Sequence, residues 1–171
     1  MKNESTAFTE TDLQEFLDEM IDHDRLALAD RLQRASERLA EYGELVNPGH
    51  GHDGWSAHEV LAHIVVLSKF YGVIFHKVAS GKMTELDLLN NVGLRDAMNE
   101  QMAQIEPKEL IRMALEDHAR TVKVLRAADA ASMRRVVMVG GGETMTAEEV
   151  ARLPLISHLE LHIDQLARAL A

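Results

Sequence analysis

Apolar residues return at steps of three, four and seven along most of this chain, and that period is the signature of amphipathic helices. Ile21, Leu28, Leu32, Ala35, Leu39 and Tyr42 form one such stripe in a segment from about Thr11 to Gly43. Its step of seven skips a turn at Asp24 and Arg25, which is either a wide solvated face or a polar contact inside a bundle. Val60, Ile64, Leu67, Tyr71, Ile74 and Val78 form a second stripe. A Ser56/Glu59 capping box opens it just after Trp55, and Gly81 stops it. Ile111, Leu115, His118, Val122 and Leu125 form a third, after Pro107. A second box, Thr146/Glu149, starts a last helix that runs to Leu170. Pro154 inside it removes a backbone donor, so a kink or a fresh start is expected near Leu153. Four long helices in 171 residues predict an all-α four-helix bundle, one domain over 1–171 with about the first ten residues flexible.

The connections are unequal. "VNPGHGHDG" is turn chemistry between the first two helices. Residues from about Lys82 to Glu106 read as a long crossover with irregular helix, which Thr84 or Asp87 would cap and Asn90, Asn91 and Gly93 would interrupt. So long a link between the second and third helices makes an order other than simple up-down-up-down reasonable. "RRVVMVGGGETM" alone has β-like character, and its three glycines predict a flexible loop. Gly140, Gly141 and Gly142 lack the rest of a phosphate-binding fingerprint.

Charge narrows the partners. With 18 Lys plus Arg against 28 Asp plus Glu, the net charge is -10, which disfavours nucleic-acid backbone and anionic membrane surfaces. The expected partner is a small-molecule substrate, with no nucleic acid and no membrane; a homodimer stays open. There is no cysteine, so disulfides, thiolate zinc sites and cysteine nucleophiles are excluded. That composition suits a reducing cytosol, and a cytoplasmic location is expected. "MKNESTAFTETD" is polar and acidic, unlike a signal peptide, and no apolar run is expected to approach ~18 residues.

Chemistry concentrates in "LISHLELHIDQL". His158 and His162 lie one turn apart, so both rings leave the same helix face, on a stripe of Leu155, His158, His162, Leu166 and Ala169 that reads as core-facing. A buried imidazole without a partner costs about 1–3 kcal/mol. His63 flanks the second helix's stripe between Val60 and Leu67. Three histidines from two core faces could supply a facial nitrogen set for a divalent ion, zinc or nickel, with positions open for water or substrate.

These residues resemble the DinB-like superfamily of metal-binding four-helix bundles. That pattern opens the second helix with a tryptophan and places a histidine eight residues on, as in "GWSAHEVLAHI" with Trp55 and His63. Its last helix carries H-x-x-x-H followed by Gln or Asp, as in "HLELHIDQL" with His158, His162 and Gln165. "GW…LAHI", "PKEL" and "HLELHIDQLARAL" look most like the branch of mycothiol-dependent maleylpyruvate isomerases and related thiol transferases, some of which carry Glu at the position of His158. The resemblance implies a DinB-like bundle with a long crossover between helices two and three. It also implies metal ligation by His63, His158 and His162, and a low-molecular-weight thiol cosubstrate such as mycothiol or bacillithiol.

Three neutral imidazoles leave a divalent charge uncompensated, so a bound thiol would ionise near neutral pH, as water would. The leading expectation is a thiol-dependent S-transferase or isomerase acting on small electrophiles. The alternatives are a metal-dependent hydrolase, or a non-catalytic metal- or ligand-binding bundle. Asp24, Glu59 and His118 are the candidates for a general base. His118 is a hydrogen-bonded core residue, a pocket-lining residue or a fourth ligand. Gln165 either orients a ligand or bonds a neighbouring helix. His50 and His52 are expected exposed or at the site mouth. His23, His58 and His76 read as surface or rim residues, Trp55 as a plug at a bundle end, and the nine methionines as core filler.

Overall fold

A computed structural model describes residues 8–87 and 92–171. Four long helices carry the fold: α1 (Glu10–Gly43), α2 (Ala57–Ala79), α4 (Pro107–Ala127) and α7 (His158–Leu170). A shorter α3 (Val92–Met102) lies in the crossover, and α5 (Ala130–Met133) leads into a hairpin, β1 (Val136–Gly140) with β2 (Glu143–Thr146). After the hairpin, α6 (Ala147–Val150) passes through a π-helical segment, Ala151–Ser157, into α7.

Capping fixes the helix starts. Thr9 and Asp12 close a box at α1, Ser56 and Glu59 at α2, and Thr146 and Glu149 at α6. Each box satisfies donors that the first turn otherwise leaves open. Thr9 and Glu10 therefore belong to a capped helix rather than to a loose tail; residues 1–7 lie outside the described residues.

Neighbour contacts give the topology. α1 packs on α4, α4 on α2, α2 on α7 and α7 on α1, so α1 and α2 sit diagonally. Along α1 and α4 the contacts run in opposite directions: Ser36 meets His118, while Arg25 meets the carbonyls of Leu125 and Arg126. Along α2 and α4 they run together, His58 reaching Ile105 and Ser68 reaching His118. α1 and α7 also run together, through Arg31 to Glu160 and Arg38 to Asp164. The order is up-down-down-up, and the crossover between α2 and α4 is what makes those two parallel.

Several expectations need correction. At the polar break Arg25 makes a contact inside the bundle while Asp24 stays half-exposed: the Arg25 guanidinium donates to the carbonyls of Leu125 (3.0 Å) and Arg126 (2.9 Å), which end α4 without helical partners. Thr84 does not cap a helix; its carbonyl accepts from Met138 N–H, and Leu86 N–H donates to the Met138 carbonyl, so the crossover begins as extended chain beside β1. Asn90 and Asn91 lie outside the described residues, and Gly93 falls within α3 rather than interrupting it. The glycine run forms the turn of the β1–β2 hairpin, Gly140, Gly141 and Gly142 all having positive φ. Pro154 does not restart the helix. The chain widens to π pitch around it, and His158 N–H reaches back to the Leu153 carbonyl. α2 is long and apolar enough by composition to cross a membrane, contrary to the sequence reading, yet two thirds of its most apolar window (67%) is buried inside the bundle.

Candidate metal centre

α7 packs through Leu159, Ile163 and Leu166, all fully buried, with Leu155 one turn earlier. This stripe is rotated from the expected one: His158 and His162 lie on its flank, half-buried, and Ala169 is exposed. The flank faces α2, where His63 is also half-buried. Arg31 binds Glu160 (2.6 Å) and Arg38 binds Asp164 (2.6 Å), clamping α7 to α1 and fixing the rotation that aims both imidazoles at α2.

The three rings converge. Each offers one nitrogen, and the three nitrogens lie within 4.8 Å of one another. The Nε2 atoms of His158 and His162 are 2.9 Å apart. The His63 ring centroid is 4.5 Å from that of His162 and 6.0 Å from that of His158.

Two amides set the tautomers. Gln165 Oε1 accepts from His162 Nδ1 at 2.9 Å, and Asn99 Oδ1 accepts from His63 Nδ1 at 3.3 Å. With the proton held on Nδ1, each ring turns an Nε2 lone pair inward. Lone pairs brought this close repel unless a proton or a cation lies between them. An all-nitrogen donor set in which two of the outer nitrogens are already bonded fits a divalent ion. Gln165 thus bonds His162 on its own helix rather than a neighbouring helix, and Asn99 is a partner that sequence reasoning missed. Asn99 reaches His63 from α3, on the crossover, and no local motif announces it.

Trp55 is not a plug. It is 49% exposed, and its ring lies 4.8 Å from that of His63 and 6.3 Å from that of His162, nearly parallel to the latter. It forms one wall of the site, on a loop pinned by Glu59. The Glu59 carboxylate accepts from Ser56 N–H (2.8 Å) and Gly51 N–H (3.0 Å), bonds that hold its pKa down to about 2. A carboxylate so committed is a poor base at neutral pH and acts by positioning the Trp55 loop. Its third neighbour is the exposed His50, at 3.3 Å.

The other candidates stand elsewhere. Asp24 pairs with Arg152 (3.4 Å) and His23 (3.5 Å). His118 is 1% exposed, with Nε2 2.8 Å from Ser68 Oγ and Nδ1 3.1 Å from Ser36 Oγ. It is a core histidine joining α1, α2 and α4, and burial lowers its pKa to about 4. His58 is not a surface residue: it is buried, Nδ1 accepting from Gly49 N–H (3.2 Å) and Nε2 donating to the Ile105 carbonyl (2.7 Å).

No family model and no curated protein sequence matches the chain. Solved structures do match in fold. The mycothiol-dependent maleylpyruvate isomerase superposes with a TM-score of 0.67 at 18% identity, over 85% of this chain and 60% of that one. YfiT from Bacillus subtilis, described as a probable metal-dependent hydrolase with an unusual four-helix bundle topology, superposes with a TM-score of 0.66 at 18% identity, over 84% and 86%. The four-helix bundle with a long crossover expected from the sequence is the fold observed, and the chain spans about 60% of the isomerase's length.

Proposed function

We propose that this chain is a metal-dependent enzyme whose ion is held by His63, His158 and His162, and that it joins a low-molecular-weight thiol to small electrophiles as an S-transferase or isomerase. The observation that carries this reading is the convergence of three imidazole nitrogens within 4.8 Å of one another, with Gln165 and Asn99 holding the protons on the outer nitrogens of two of the rings. When bound, a divalent ion, zinc or nickel, supplies the Lewis acidity that ionises a thiol or water near neutral pH. The chain does the rest. Three neutral imidazoles add no negative charge that would blunt that acidity, and Trp55 shields one side of the site from solvent while offering an aromatic surface to substrate. The thiol comes from outside, because the chain has no cysteine. Mycothiol and bacillithiol are the natural candidates in a reducing cytoplasm.

A hydrolase is the second reading. It is favoured by the match to YfiT, which extends over 86% of that protein, against 60% of the isomerase. Water then takes the place of the thiol at the same ion.

Elemental analysis of gently purified protein should find close to one zinc or nickel per chain, lost in His63→Ala, His158→Ala and His162→Ala. Metal-loaded protein, screened against electrophiles with and without mycothiol or bacillithiol, should consume the electrophile only with thiol. Turnover of esters or amides without thiol selects the hydrolase. Protein that takes up neither added ion sinks both readings.

A further inference from the structure

A second concavity lies on another face of the molecule, between α2 and α4. Its volume is about 370 Å³, within the range of small-molecule sites, roughly 300–1,000 Å³. The two helices run parallel here and approach closely: a Cβ on Gly72 would lie 3.0 Å from Thr121 Oγ1. Gly72, Val73, Phe75 and Val124 give the groove an apolar surface. Val73 is 47% exposed in it.

The polar groups on its floor are already engaged. Ser68 bonds His118, and the Thr121 hydroxyl donates to the Asp117 carbonyl at 3.0 Å. Among the described residues every buried side-chain nitrogen and oxygen has a hydrogen-bond partner. The floor therefore offers no free nucleophile, and the groove is built to bind rather than to react.

Its rim is positive. Lys69, Lys77, Lys123 and Arg120 line it, against the single carboxylate of Asp117, which Arg120 already pairs. The three lysines make no ion pair among the described residues, where the other ion pairs draw on arginine or histidine. The chain has six lysines and a net charge of -10, so half of them gather, unneutralised, around one apolar groove. Like charges so placed repel one another, and an anion relieves that repulsion. An apolar surface with a cationic rim matches one chemical class.

We propose that the α2/α4 groove binds a small amphipathic carboxylate, its hydrocarbon or aromatic body on Val73 and Val124 and its carboxylate among the rim lysines. The site is separate from the three-histidine centre, which lies between α2 and α7, and it needs no metal.

Isothermal titration with octanoate, and with octanol as its uncharged isostere, tests this on the protein as purified and after chelation. Octanoate should bind saturably, at least tenfold more tightly than octanol, and weaken as ionic strength rises. The double variant Lys69→Gln/Lys123→Gln, whose side chains are exposed and leave the core intact, should lose at least tenfold in octanoate affinity with little change for octanol. His162→Ala and chelated protein should bind octanoate as the wild type does. Equal affinity for octanoate and octanol, an unaltered double variant, or loss of binding on chelation would each overturn the proposal; the last would place the carboxylate on the metal centre.

Discussion

Acid should unfold this protein through a histidine buried in its core. His118 is 1% exposed and bonded on both ring nitrogens to serine hydroxyls, an arrangement a neutral imidazole satisfies by donating once and accepting once. Its pKa is lowered from 6.5 to about 4 by desolvation. Between those values the unfolded ring binds a proton and the folded ring does not, so stability falls as pH drops through that window and is flat with respect to this group above it. Each pKa unit is worth about 1.4 kcal/mol, and integrating from pH 7 to 4.5 gives a loss of about 2.5 kcal/mol, a sizeable part of a typical stability of about 5–15 kcal/mol. His118→Gln keeps an amide donor and acceptor in the cavity but cannot titrate. Guanidinium denaturation of wild type and variant at pH 7.0 and 4.5, in chelator so that the three clustered histidines contribute alike, isolates the effect of His118. The variant is expected to be less stable at pH 7, yet to lose about 2.5 kcal/mol less than wild type on acidification. An equal loss in both would show that the folded ring takes up its proton at ordinary pH, and would refute the reasoning.

Other outcomes follow from the same geometry. A metal at a hundred times its Kd stabilises the native state by about 2.7 kcal/mol, which in a domain of this size is about 5–10 °C in Tm; a chelator should remove that increment from wild type and have no effect on His162→Ala, as scanning fluorimetry would show. Gly43→Ala should destabilise despite alanine's better helix propensity, by about 1–3 kcal/mol in urea denaturation, because the new Cβ would lie 2.5 Å from Cδ1 and 2.6 Å from Cγ1 of the buried Ile111. Arg25→Leu should cost about 1.5–3 kcal/mol in the same assay, since it strips the carbonyls of Leu125 and Arg126 of a charged donor.

The long helices were legible because two of their starts are written in capping boxes and their faces in apolar spacing, both local properties. The histidine trio was legible for a related reason: an i,i+4 histidine pair sets its own geometry, and His63 sits beside its helix's apolar stripe. What escaped was decided between elements. The rotation of α7 that moves His158 and His162 from core to flank depends on Arg31 and Arg38, on a helix more than a hundred residues earlier. Asn99 reaches His63 only because the crossover returns across α2. His58 reads as a polar residue in a helix's first turn, and its burial comes from the Ile105 carbonyl arriving beside it. The π segment hides for a different reason. A proline predicts a missing hydrogen bond, but whether the helix kinks, stops or widens depends on what packs around it.

The up-down-down-up order has a consequence for the newborn chain. As a polypeptide leaves the ribosome, its N-terminal segments can begin to collapse first. α1, α2 and α4 can then associate through the Ser36–His118–Ser68 bridge while α7 is still unmade. His63 is at that stage a lone imidazole beside an uncovered seam, ninety-five residues ahead of His158. The centre comes into being in one late event, when the last helix closes the seam. A nascent or truncated chain therefore lacks the three-histidine cluster, which is complete only once the bundle is closed.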